Sequence, residues 1–215
     1  MKKIAIVLAL IGASGVAYAQ QPGFYLGASV GQTNISTDDL VSNTVNELRA
    51  AGATSVSSDD SNRDVGWKIF GGYQFNPYLA LEGGYVNFGK YDPQITGLAG
   101  TTSFKIKGQV DSDAMFFDVV GHLPVNESFS VFGKVGLAFT WTDASASGYV
   151  GNLFSASAKA DENEVVPKLG VGVRYNITKQ IGVRAEYEYY YNVGEEDTTG
   201  ESSIRMGSVG MTYHF

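Results

Sequence analysis

Eight stretches of this 215-residue chain alternate apolar and polar side chains at a period of two, the spacing that puts successive side chains on opposite faces of a strand. They cover residues 24–33, 65–75, 78–88, 114–123, 129–141, 166–176, 181–191 and 203–215. Each is about ten residues long or slightly more, the length a tilted strand needs to cross a bilayer. The clearest is 129–141. There Val131, Val135, Leu137, Phe139 and Trp141 share one face, and Ser130, Phe132, Lys134, Gly136 and Thr140 share the other.

The way polarity divides between the two faces decides between two kinds of barrel. In a soluble barrel the interior face is apolar and the outer face is polar. Here the face that carries the glycines also carries the charges: Lys68, Glu82, Asp118, Lys134, Lys168, Arg174, Arg184, Glu186 and Glu188 all fall on it. The opposite face is almost uncharged, and water would not tolerate Phe117, Leu137, Phe139, Trp141 and the Tyr187, Tyr189, Tyr191 ladder on an exterior. The expected fold is therefore all-β, an eight-stranded antiparallel transmembrane β-barrel with apolar side chains towards lipid and polar ones inside.

The connections support this reading because short and long ones alternate. Asn76-Pro77, residues 124–128 and residues 176–179 are tight turns; residues 34–64, 89–113, 142–165 and 192–202 are long polar stretches. Three short turns and four long loops suit eight strands with both termini at one mouth, the periplasmic one, and the loops outside. The first loop contains a possible helical turn over 40–51.

The chain begins with Lys2 and Lys3, an apolar stretch over 4–16 and Ala17-Tyr18-Ala19. That order is expected of a secretory signal peptide over 1–19, followed by one domain over 20–215. Beyond it no apolar run is long enough for a helical span. The mature chain has 13 basic residues (15 less Lys2 and Lys3) against 22 acidic ones, a formal charge of −9, which speaks against nucleic acid as a partner. With no cysteine in the chain, closure has to come from the sheet and not from disulfides.

Counted from the tight turns, five inward charges fall near the middle of the barrel: Glu82, Asp118, Lys134, Arg174 and Arg184, with Glu186 beside them on its strand. An eight-stranded interior is just filled by its own side chains, so these groups must pair with one another or with trapped water. No catalytic site is expected. The only histidines, His122 and His214, lie near the tight turns and far apart in sequence, so no nucleophile and base meet at the outer loops. The acidic runs Asp38-Asp39, Asp161-Glu162 and Glu195-Glu196-Asp197 lack the spacing of a dedicated calcium loop, and neither a metal nor a cofactor is expected. Lipid-facing Leu137 should not accept an arginine, whereas a serine at inward Gly136 should be mild.

The stretches "FYLGASVG" from Phe24, "FGGYQFNPYLALEGGY" from Phe70, "ITKQIGVRAEYEY" from Ile177 and the closing "MTYHF" resemble the N-terminal transmembrane barrel of the outer membrane protein A family. The resemblance covers most of the strands and little of the loops. It implies an interior ion pair that acts as a gate, at the positions of Glu82 and Arg184. A second family pair, lysine with glutamate, departs from the pattern: Arg174 takes the acid's place and Val120 the lysine's, so Asp118 is the expected substitute partner for Arg174. The resemblance also implies that Met211, Tyr213 and Phe215 are read by the outer-membrane assembly machinery. The family's periplasmic peptidoglycan-binding domain has no counterpart in this sequence, and a role in cell-wall tethering is not expected. The expected protein is a monomer of the outer membrane in contact with its lipid and lipopolysaccharide, with a structural and surface-interface role. A narrow channel for ions or small solutes, and adhesion or host-factor binding through the loops, are the alternatives.

Overall fold

The computed structural model describes residues 22–36, 45–47, 49–50, 52–59, 63–92, 94–100, 102–150, 154–193 and 202–215. The signal over 1–19 and most of the acidic runs lie outside the described residues. Ten strands follow in order: β1 (Gly23–Ser36), β2 (Ala53–Asp59), β3 (Arg63–Asn76), β4 (Leu79–Tyr91), β5 (Gln94–Ala99), β6 (Thr102–Pro124), β7 (Phe129–Val150), β8 (Phe154–Asn176), β9 (Ile181–Val193) and β10 (Ser202–His214). Eight of them close an antiparallel ring, β1-β3-β4-β6-β7-β8-β9-β10 and back to β1. Closure leaves no sheet edge within the ring, which a bilayer demands because lipid offers backbone groups no hydrogen bonds.

The three tight turns share a local cause. Asn76 accepts the Tyr78 N–H through its side-chain oxygen at 2.8 Å. The Asn126 side chain accepts from Ser128 and Phe129 at 2.9 and 2.8 Å, and Thr178 Oγ1 accepts from Gln180 and Ile181 at 3.2 and 2.9 Å. In each turn a short polar side chain takes the N–H groups that the reversing strand would otherwise leave unpaired.

Every inside–outside assignment read from the alternation holds in the structure. Phe24, Leu26, Trp67, Ile69, Phe117, Leu137, Phe139 and Val171 are exposed, while their neighbours in sequence turn inward. Aromatic side chains gather at the two ends of this apolar band. Near the tight turns Phe24, Tyr73 and Phe75 make edge contacts at 4.8 and 5.1 Å, and Tyr213 meets Phe215 at 5.3 Å. Towards the other end Trp67 packs on Tyr85 and Tyr189 on Tyr191. On β7 the band runs from Val131 to Trp141, ten steps of about 3.3 Å on a tilted strand, or about 25 Å of bilayer height.

The long polar stretches differ from the expectation of loops, because much of their length is strand. β7 and β8 stay paired far past the apolar band, from Phe129↔Tyr175 up to Val150↔Phe154. β6 follows β7 to Phe104↔Val150, β5 folds back onto β6, and β2 pairs with β5. The result is a flange of β2-β5-β6-β7-β8 standing on one side of the barrel mouth. β4 leaves the barrel register between Asn87 and Lys90, at Gly89, whose φ of 85° suits glycine alone. Val45, Ile95 and Phe104 form a small separate core under the flange, with Ala53, Val56 and Ile106 against it. Of the expected helical turn, residues 45–47 and 49–50 are helical, and the rest of 40–51 lies outside the described residues.

Candidate functional site

The inward faces stack into two layers of different chemistry. The lower layer holds Lys68, Lys134, Lys168 and Arg184 against Glu82, Asp118, Glu186 and Glu188, all buried. The register explains the crowding. Glu82 on β4 stands directly opposite Asp118 on β6, and Arg184, Glu186 and Glu188 follow one another at alternate positions of β9. Like charges opposite one another destabilise a sheet, and cations from β3, β7 and β8 reach between them.

Lys134 is the hub of this network. Its Nζ lies 2.6 Å from Glu82, 2.9 Å from Glu186, 3.3 Å from Glu188 and 3.8 Å from Asp118. Arg184 grips Glu82 with both terminal nitrogens, at 2.7 and 3.2 Å, and reaches Glu186 as well. Lys68 bridges Glu186 and Glu188, each at 2.6 Å, and Lys168 bridges Asp118 at 2.6 Å and Glu188 at 2.9 Å. The Tyr25 hydroxyl donates to Glu82 at 3.1 Å and the Ser208 hydroxyl to Glu186 at 3.4 Å. With no bulk water at hand, each buried charge has to be matched in this way or carry a penalty of several kcal/mol.

Three inward phenylalanines fill the space between the ion pairs. The Lys168 ammonium sits 3.7 Å from the Phe116 ring centre, and the Arg184 guanidinium lies 4.2 Å from Phe70 and 4.9 Å from Phe132. Each ring occupies the place of a missing side chain. Phe70 stands opposite Gly27 and Gly84, Phe116 opposite Gly84, and Phe132 opposite Gly172. A Cβ added to Gly27 or Gly172 would overlap the facing ring, so these glycines are seats for aromatic side chains. Gly136 is equally committed. Its Cβ would collide with the Phe117 carbonyl and the Asp118 carboxylate, which corrects the expectation that a serine there is mild.

Of the charges singled out from sequence, Glu82, Arg184, Lys134, Glu186 and Asp118 come together in this network. Arg174 does not join Asp118. It sits closer to the tight turns, with its guanidinium 5.4 Å from the Tyr25 ring centre, while Asp118 turns to Lys168 and Lys134. His122 and His214 lie at that same end, His214 stacked on Tyr25 at 5.0 Å. Lys68, Lys168 and Glu188 share the inward face but were absent from the expected cluster. They stand eight, eight and nine residues above their turns, whereas the expected charges lie within seven. Barrel strands are staggered, so equal distance from a turn is not equal height. Met211, Tyr213 and Phe215 face outward in the lower aromatic girdle, and the Phe215 N–H donates to the Phe24 carbonyl at 3.1 Å.

A closed ring with inverted polarity, paired interior charges and two aromatic girdles defines a transmembrane β-barrel of the outer-membrane type. Residues 19–215 match the OmpA-like transmembrane domain, and the chain belongs to that family. Outer membrane protein A of Salmonella typhi is 29% identical over 220 residues, which cover 100% of this chain and 56% of the relative. This chain thus spans little more than half the length of that protein. An uncharacterized protein of Coxiella burnetii is 27% identical over 216 residues, covering 90% of this chain and 85% of the relative. Among solved structures, Neisserial surface protein A has the same fold, with a TM-score of 0.51 and 18% identity over 90% of this chain and 97% of that one. The protein is an integral outer-membrane β-barrel.

Proposed function

We propose that this barrel has a structural and surface-interface role: it anchors in the outer membrane as a closed monomer and presents its flange to the surroundings. The observation that carries the reading is the interior itself. Four cations and four carboxylates neutralise one another across the middle, and three phenylalanine rings occupy the remaining space. In this orientation the tight turns and both termini face the periplasm, and the flange stands outside the cell. The partners are outer-membrane lipid and lipopolysaccharide, together with the assembly machinery that reads the Met211, Tyr213, Phe215 face. Refolded protein in a planar bilayer should pass no more current than the bilayer alone, and surface protease should trim the flange of intact cells. Steady single-channel current from the unaltered protein contradicts the closed reading.

A second reading, a narrow channel, draws support from one feature. Glu82 already touches two cations, Arg184 at 2.7 Å and Lys134 at 2.6 Å. An exchange from the first to the second costs little contact energy and would swing Arg184 aside. Current that rises on neutralising Glu82 alone would favour that reading.

A further inference from the structure

Above the charges the interior changes character, contrary to a wholly polar lumen. The inward side chains of the next rungs are Val86 and Phe88 on β4, Ala114 on β6, Ala138 on β7, Val166 on β8, Tyr190 on β9, and Ile204 and Met206 on β10. All of them are buried, none more than 1% exposed. Six of the eight wall strands contribute to this layer. β1 closes it with Ile35 and Thr33, and β7 adds Thr140, but the two hydroxyls donate to the Phe88 and Glu164 carbonyls at 2.6 and 3.3 Å. β3 meets the layer with Gly66, whose missing side chain leaves room for the Thr33 and Met206 methyl groups. Phe88 and Tyr190 meet edge to face across the lumen at 4.8 Å. The layer sits directly on the charges, for Val86 is the register partner of Lys68, Tyr190 of Lys168, and Met206 of Glu188.

We infer that this apolar layer, and not the ion-pair network beneath it, is the permeability barrier of the barrel. The inference rests on the closed-barrel reading and locates what closes it. An ion can be handed along a ladder of side-chain charges, because each step replaces one paired partner by another. It cannot cross a dry apolar constriction without shedding its hydration shell, and such constrictions block conduction by dewetting. Loosening Glu82 from Arg184 therefore opens a polar chamber that still ends blindly under Phe88 and Tyr190. Hydrating the layer opens the path even with every ion pair intact.

The test is bilayer conductance of three refolded proteins, each shown to be folded by its heat-dependent gel shift. Val86→Thr with Val166→Thr keeps side-chain volume and adds two hydroxyls to the layer. Phe88→Ser removes one ring of the aromatic contact and serves as the second layer variant. Glu82→Gln loosens the ion pair and leaves the layer alone. The inference expects Glu82→Gln to stay within twofold of the unaltered protein. Each folded layer variant should conduct at least fivefold more than it. Layer variants that fold and stay at the unaltered level overturn the inference, and so does a Glu82→Gln current equal to theirs. Steady current from the unaltered protein would instead bring down the closed reading on which the inference rests.

Discussion

β7 runs through two regions that teach opposite lessons. From Phe129 to Trp141 it crosses the apolar band, and buried and exposed side chains alternate with few exceptions. From Thr142 to Val150 the same strand continues in the flange with unbroken pairing to β6 and β8, yet most of its side chains are only half-buried. In the barrel one face meets lipid and the other a packed interior, so each position is held to one polarity. Along this upper part of β7 both faces meet water, and nothing requires alternation. Period-two patterning records the contrast between two environments, and a strand without that contrast does not write it.

The largest effect should come from the hub of the charged layer. Lys134→Ala removes the cation shared by Glu82, Glu186, Glu188 and Asp118 and leaves a carboxylate excess in a buried site. Unfolding in lipid vesicles should lose about 3–5 kcal/mol. No substitution in the flange should approach that figure, and a Lys134→Ala loss below about 1 kcal/mol would erase the distinction between the regions.

Leu137 and Tyr149 sharpen the comparison most cleanly. They share β7, face outward and are almost equally exposed, at 51% and 49%. Leu137→Arg should cost about 2–4 kcal/mol, the value for an arginine facing lipid at the bilayer midplane. Tyr149→Arg should stay within about 0.5 kcal/mol, as surface changes in water do. Equal costs at both positions would place the flange in the membrane or Leu137 outside it.

Smaller differences are expected from two glycines of the same strand. A side chain at Gly136 meets the Phe117 carbonyl and Asp118, whereas one at Gly148 meets nothing within 4 Å. Gly136→Ser should cost about 1–3 kcal/mol by overpacking. Gly148→Ser should be close to neutral, with a shift of the urea midpoint within error. If Gly148→Ser were the more damaging, the flange would be packed more tightly than its exposure indicates.

The same contrast explains what could be read from the sequence. The eight wall strands, their phase and the tight turns were legible because lipid and interior impose opposite polarities, whereas the pairing of Glu82 with Arg184 was implied by the family resemblance. β2, β5 and the upper halves of β6, β7 and β8 read as loops in the sequence, since stretches such as Thr142-Asp143-Ala144-Ser145-Ala146-Ser147 carry no such imprint. The polarity pattern gave the inward direction of Lys68, Lys168 and Glu188 but not their height, which the stagger of the strands decides. The family pattern implies Asp118 as the partner of Arg174, one inward step from Val120, but register brings Lys168 within 2.6 Å of Asp118 instead. The apolar upper layer was hidden because Val86, Ala114, Ala138 and Val166 sit on the inward face, where alternation alone predicts polar groups.

The account stands on the interior charges acting as one coupled network that ties the wall strands together. A charge swap of Glu82 and Arg184 is a poor probe, because the new arginine would face Lys134 and the new glutamate Glu186. Neutral substitutions avoid this. Urea unfolding in lipid vesicles should be measured for the unaltered protein, Glu82→Gln, Arg184→Gln and the double variant. The account predicts that the double variant loses less than the sum of the singles, with a coupling of at least about 1 kcal/mol. Losses that add to within about 0.3 kcal/mol would contradict it, since two groups in bidentate contact cannot be energetically independent.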